Sequence, residues 1–203
     1  KGTCVETYLE FNQQWGLGSS STLIALVAQW LNVPALPLFF QSLTGSGYDV
    51  ATALENHPIL YQLNTPPKAQ WEKVQIPEFF KDTHFMYLGE KQNSEREVKR
   101  FSQLPSSEVD VTKISALSQE ILNAKNINQL QDLVMQHETI ISKIIGLEPI
   151  KDRLFKQFKG AVKSLGAWGG DFVWIVGLGE QSAYFKELGY KKLFTYKDLC
   201  STE

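Results

Sequence analysis

The sequence predicts an α+β fold, and two kinds of pattern carry that reading. Short segments rich in β-branched and aromatic residues, HPILYQL, WEKVQI and THFMYLG, are set off by Pro66, Pro67 and Pro77 and read as strands. Longer segments with apolar residues at three- and four-residue spacing, above all Asp110 to Gly146, read as helices. Both kinds occur along 203 residues, a length that suits one large domain or two small ones with a substantial core.

In chain order, TCVETYLEF alternates Val5, Thr7, Leu9 and Phe11 with Glu6, Tyr8 and Glu10, the period of a half-buried strand. Leu23, Ile24, Leu26, Val27, Trp30 and Leu31 then recur at helical spacing, and Pro34 should end that helix near Asn32. Leu23 to Phe40 holds no formal charge, yet Gln29, Asn32, Pro34 and Pro37 argue for a buried helix and a turn rather than a membrane span. The three strands follow. Asp110 to Gly146 is expected to be helical with a break around Asn126 to Asn128, and Glu148 to Lys163 to form another helix. A strand at Asp171 to Val176, a helix at Glu180 to Leu188 and a short strand at Leu193 to Tyr196 close the series.

A hydrophobic content of 43% and a net charge of -2 fit a soluble globular protein and give no electrostatic reason to expect nucleic acid or membrane as partner. Cys4 and Cys200 match no metal spacing and are too few for a disulfide framework, so a reducing cytoplasm is the expected location; a bridge between the two stays open. His57, His84 and His137 share no metal spacing, and no leader pattern stands at the first residues. Lys151, Arg153, Lys156, Lys159 and Lys163 read as a solvated helix face. Lys91 follows a predicted strand and suits either a surface turn or a reach toward substrate phosphate.

Three glycine-bearing stretches carry the chemistry. WGLGSSST (Trp15 to Thr22) lies between the first predicted strand and the first helix, so its serines can cap the helix, or its exposed amides can bind phosphate at the positive end of the helix dipole. It is neither a dinucleotide fingerprint, since Ser21 stands where a third glycine or alanine belongs, nor a Walker loop, since Ser19 stands where lysine belongs. TGSGYDVA (Thr44 to Ala51) holds Asp49, the one formal charge between Asn12 and Leu54, which is either a turn residue bonding its own backbone or a group used on substrate. KSLGAWGGDF (Lys163 to Phe172) places Gly166, Gly169 and Gly170 just before an apolar strand.

In this order the three stretches resemble the GHMP kinases, the superfamily of galactokinase, homoserine kinase, mevalonate kinase and phosphomevalonate kinase. WGLGSSST resembles the family's phosphate-wrapping Gly-Leu-Gly-Ser-Ser-Ala motif, GSGYDVA resembles the phosphomevalonate kinase turn around a proposed catalytic aspartate, and KSLGAWGGDF resembles the third, glycine-rich loop. The resemblance implies a two-domain architecture: the remainder of a ribosomal-S5-like domain up to about Lys81 (1–81), then a ferredoxin-like domain (82–203). It implies an ATP-dependent kinase acting on phosphomevalonate or mevalonate, in the isoprenoid precursor pathway. ATP would lie against Gly16, Leu17, Gly18, Ser19, Ser20 and Ser21, with Gly166, Gly169 and Gly170 as the other wall. Ser20 would help hold Mg2+, and Asp49 would orient or deprotonate a small anionic acceptor.

Departures matter too. Asn12 stands where family loops often begin with proline, Trp168 replaces a usual glycine, and no acid lies between Phe11 and Tyr48 to supply the magnesium-binding glutamate; Glu10 has no evident role. Family members carry roughly 80 to 100 further residues ahead of the phosphate loop, including a cationic strand motif, so this chain is expected to be a piece with little turnover alone. The rival reading is a non-catalytic binding or regulatory protein that keeps the fold. A related decarboxylase is disfavoured because that branch has serine where Asp49 stands. Oligomeric state has no signature here.

Overall fold

The computed structural model describes residues 2–89, 93–104, 108–166, 168, 170–190 and 192–200, without the side chains of residues 94 and 95. A one-turn 3-10 helix, Gln13–Trp15, leads through Gly16 to Gly18 into α1 (Ser19–Leu31). Asn32 stops α1 by turning left-handed (φ 54°), with its amide on the Ala28 and Gln29 carbonyls. Pro34 then caps α2 (Ala35–Ser42), and Gly47 caps α3 (Tyr48–Leu54). Ala25 and Ala28 of α1 keep that face thin, so Leu36, Phe39 and Val50 pack directly on it. An antiparallel hairpin, β1 (Ile59–Leu63) and β2 (Ala69–Lys73), closes this core with Trp71, whose indole donates to Glu55 at 3.1 Å.

The second half is built on a four-stranded antiparallel sheet in the order β4-β5-β3-β6. Chain order is β3 (His84–Tyr87), α4 (Ser94–Ser102), α5 (Glu108–Leu122), α6 (Ile127–Ile145), α7 (Ile150–Leu154), β4 (Ala161–Ser164), β5 (Phe172–Val176), α8 (Ser182–Glu187), β6 (Leu193–Thr195) and α9 (Tyr196–Leu199). With the helices between β3 and β4 taken as one crossover, this is the β-α-β-β-α-β arrangement expected of a ferredoxin-like unit. Strand side chains alternate, and β5 uses both directions. Val173 and Ile175 join Phe155, Phe158 and Phe185, whereas Val176 joins Leu130, Leu133 and Val134. Each of those phenylalanines is at most 2% exposed, worth roughly 2–3 kcal/mol of burial apiece.

The break between the long helices falls where expected: Asn126 caps α6 by accepting from the Gln129 amide, and Gly146 ends it left-handed. Other expectations fail. Residues 2–9 form no strand and are exposed, because a strand needs a ladder partner and none of the described strands lies beside them. Pro37 does not end in a turn but sits within the first turn of a second helix, α2, where its missing amide costs no hydrogen bond. Glu148 to Lys163 is helical only over Ile150–Leu154; the apolar spacing there belongs to Phe155 and Phe158 in an irregular link, and Ala161–Ser164 is the edge strand β4. The presumed solvated lysine row accordingly breaks at Lys163, whose Nζ lies 3.8 Å from the buried Glu138 carboxylate. Both cysteines are free. No described helix is long and apolar enough to cross a membrane.

Candidate functional site

The 3-10 turn anchors the glycine loop to the sheet. Trp15 packs against Phe194 (centroids 5.1 Å apart) and Phe172 (6.0 Å), and the Tyr87 hydroxyl donates to the Gln14 carbonyl at 3.1 Å. Beyond Trp15 lies a cavity of about 460 Å³, lined by Tyr87, Leu188, Tyr190, Lys192 and Phe194 among others. Gly16 and Gly18 are both left-handed, φ 69° and 74°, which a residue with a side chain adopts only with strain. The N-cap of α1 is Gly18, not a serine, so the capping role expected of the serines is not the observed one. A glycine has no side chain to occupy the first-turn amides. Ser19, Ser20 and Ser21 instead supply that turn, with Ser21 buried and Ser20 exposed, while Leu17 is 37% exposed. The amides of such a turn are the orphan donors to which an anion binds.

Asp49 sits in the first turn of α3, behind the left-handed Gly47, so its carboxylate faces the favourable end of a short helix. It is next to the glycine loop: a Cβ at Gly18 would lie 3.5 Å from Asp49 Cβ and 3.6 Å from Cγ. Loss of solvation raises the Asp49 carboxyl above its ordinary range, opposed by a hydrogen bond from the Tyr48 phenol. Tyr48 is raised as well, by burial of its hydroxyl first and then by the Asp49 and Asp171 charges. Tyr48 as a whole residue is nonetheless 45% exposed.

The third stretch brings in a residue to which sequence reasoning gives no role. Asp171 is 3% exposed and left-handed (φ 53°), and its carboxyl group lies between Gly16 and Gly166. A Cβ at Gly16 would stand 2.6 Å from Asp171 Cγ and Oδ1; one at Gly166 would stand 3.3 Å from Oδ2. Its backbone is pinned where β3 ends and β5 begins, since its carbonyl accepts from the Leu88 amide at 2.8 Å. In the sequence Asp171, like Asp49, is an acid beside glycines at the edge of an apolar element, a pattern that does not by itself separate a loop acid from a site acid. Gly170 is buried beside it, whereas Gly169 and Lys91 lie outside the described residues. Trp168 turns its ring onto Phe101, 5.4 Å between centroids.

Gly16 and Gly166 thus stand against Asp171 and Gly18 against Asp49, two carboxylates far apart in sequence, with the Tyr48 phenol in the field of both. Among the described residues no three His, Cys, Asp or Glu gather into a protein-only metal cage. Mg2+ needs none, because it takes one or two carboxylates with substrate phosphates and water. The hard oxygens of Asp49 and Asp171, beside a loop opened by glycines, fit that chemistry; Ser20 adds a hydroxyl at the same helix start.

No family model and no curated protein sequence matches the chain. Solved structures do. The Lin0012 protein from Listeria innocua superposes with a TM-score of 0.66 at 16% identity, over 90% of this chain and 70% of its own. A mevalonate kinase does so with 0.62 at 21%, over 87% and 63%. A provisionally named sugar kinase from Campylobacter jejuni does so with 0.56 at 16%, over 91% and 60%. The chain therefore spans less than two thirds of the length of both kinases, and at these identities the likeness concerns the fold. That fold is α+β, and it is shared with the solved mevalonate kinase.

Proposed function

We propose that the protein is an ATP-dependent small-molecule kinase of the GHMP type whose acceptor is phosphomevalonate or mevalonate. The observation that carries the reading is the meeting of the glycine loop with Asp49 at the start of α1, in a chain that has the fold of a mevalonate kinase. ATP lies with its triphosphate on the amides of 16–21, and Gly166 and Gly170 form the opposite wall. Asp49, held by Tyr48, orients the acceptor oxygen and takes its proton where the acceptor is a hydroxyl. That oxygen bonds to the γ-phosphorus as the bond to the ADP oxygen breaks. Mg2+, held by Ser20 and carboxylate oxygen, supplies charge neutralisation when bound. The cavity beyond Trp15 offers aromatic surface and one cation, Lys192, to the rest of a ligand.

The test is phosphoryl transfer from ATP by the full-length protein to phosphomevalonate, mevalonate, homoserine and galactose in parallel. Asp49→Asn should bind nucleotide as the parent does and lose turnover by roughly 100-fold or more. Because the Asp49 carboxyl is raised, turnover should decline as pH falls through a value above the ordinary carboxylate range, and the variant should lack that limb. A preference for mevalonate changes the branch. Full turnover by Asp49→Asn removes its assigned role, and nucleotide binding without transfer to any acceptor favours the binding-protein reading.

A further inference from the structure

We propose that Glu138 is a positioning residue for nucleotide binding: its carboxylate closes the outer edge of β4 and thereby fixes the third glycine-rich stretch against the first. The inference rests on the phosphotransfer reading above and adds a residue that reading does not use. β4 is the outer strand of its sheet, so its backbone has a ladder partner on one side only. Ser164 stands opposite Val173, and Leu165 donates to the Phe172 carbonyl at 2.9 Å. Backbone groups alternate in direction along an antiparallel pair, so the Ser164 amide and carbonyl point away from β5. Ser164 is 4% exposed, and buried backbone groups of this kind need a partner from the protein.

α6 supplies what the sheet does not. The buried Glu138 side chain accepts from the Ser164 amide at 3.3 Å, and the same oxygen, Oε1, accepts from the Ile150 amide at 3.4 Å. Lys163 completes the arrangement. Its Nζ donates to the Ser164 carbonyl at 3.0 Å and stands 3.8 Å from Glu138 Oε2, which accepts no hydrogen bond among the described residues. As a source of stability alone this is a poor device, because a packed apolar pair usually does as well as two buried charges. What the pair does fix is a backbone position. Gly166 follows two residues later, and its bare face stands against the Asp171 carboxyl group, which in turn fills the bare side of Gly16. The β5 stem of this loop is held inside the sheet, where the Asp171 carbonyl accepts from Leu88. The β4 stem is held on its outer side by Glu138 and Lys163. A shift of Ser164 therefore passes through Gly166 and Asp171 to Gly16, and it moves the wall that faces the triphosphate.

The experiment compares two double variants of the full-length protein, each lacking both buried charges. Lys163→Met with Glu138→Gln keeps a side-chain oxygen for the Ser164 amide, whereas Lys163→Met with Glu138→Leu keeps the bulk without an acceptor. Affinity for a non-hydrolysable ATP analogue in excess Mg2+ is read by titration calorimetry, at a temperature where urea denaturation shows each variant to be fully folded. A role in stability alone leaves Kd unchanged under that condition. The glutamine pair should bind within about threefold of the parent and the leucine pair weaker by roughly tenfold or more, with KM for ATP in the same order. If the leucine pair does not fold, Glu138→Asp takes its place: the charge stays, the side chain is one methylene shorter, and Kd should weaken by roughly threefold or more. A smaller loss in the leucine pair or its aspartate substitute, or a glutamine pair that binds no tighter than the leucine pair, would overturn the proposal and leave the kinase reading intact. Binding by the parent without transfer to any acceptor would sink the kinase reading alone, and no binding by the parent would sink both.

Discussion

Replacing Gly16 with alanine tests whether the glycine loop and Asp171 form one packed unit. Two costs add. The backbone is left-handed at φ 69°, which costs an alanine about 1 kcal/mol. The new Cβ would lie 2.6 Å from Asp171 Cγ and Oδ1, a separation that requires the buried aspartate or the loop to move. Trp15, wedged against Phe172 and Phe194, resists movement of the loop, so the overlap should cost a further ~1–3 kcal/mol. Gly18 is the internal control, since its backbone is equally left-handed but its added Cβ would meet Asp49 at an ordinary 3.5 Å. Urea denaturation should therefore show Gly16→Ala less stable than the parent by about 2–4 kcal/mol and Gly18→Ala by about 1. In an Asp171→Gly background the Gly16→Ala cost should drop to that of Gly18→Ala, because the colliding group is gone. Equal destabilisation by the two alanines, or no coupling between positions 16 and 171, would refute the packing on which the site description rests.

Two further expectations concern the second half of the chain. Burial, and then the neighbouring Lys163 charge, push His137 down to about 4. Between that value and the ordinary 6.5 the unfolded chain binds a proton that the folded chain does not, so this group's contribution falls as pH drops through the window. His137 is partly exposed, which limits the effect to ~1–2 kcal/mol, and in urea denaturation the loss of unfolding free energy between pH 7 and pH 4.5 should be larger for the parent than for His137→Gln by that much. Lys163→Met should destabilise by about 3 kcal/mol in chemical denaturation, because it strands the Glu138 carboxylate, whose Oε1 already serves the Ile150 and Ser164 amides. Adding Glu138→Gln should recover part of that loss; no recovery would show that Lys163 acts through packing alone.

Local chemistry determined much of this protein. Glycine beside an apolar helical run announced the α1 start, Pro34 and Asn32 its end, and Asn126 and Gly146 the bounds of α6, because each acts on its own backbone within a few residues. Asp49 stood out for a similar reason, as a lone charge in an apolar stretch. What required the tertiary structure was every property that depends on a partner. The alternation of Val5 to Phe11 reads as a strand, yet residues 2–9 form none where no ladder neighbour lies beside them. Phe155 and Phe158 mimic a helical face but are spaced to fill the core under β5. Asp171 carries no local sign separating a loop acid from a site acid; its place against Gly16 follows from the pairing of β3 with β5 and the docking of Trp15 on their aromatic residues. Capping and turn preferences are written in a few consecutive residues, whereas the meeting of positions 16, 49, 166 and 171 exists only once long-range packing has closed the chain around them.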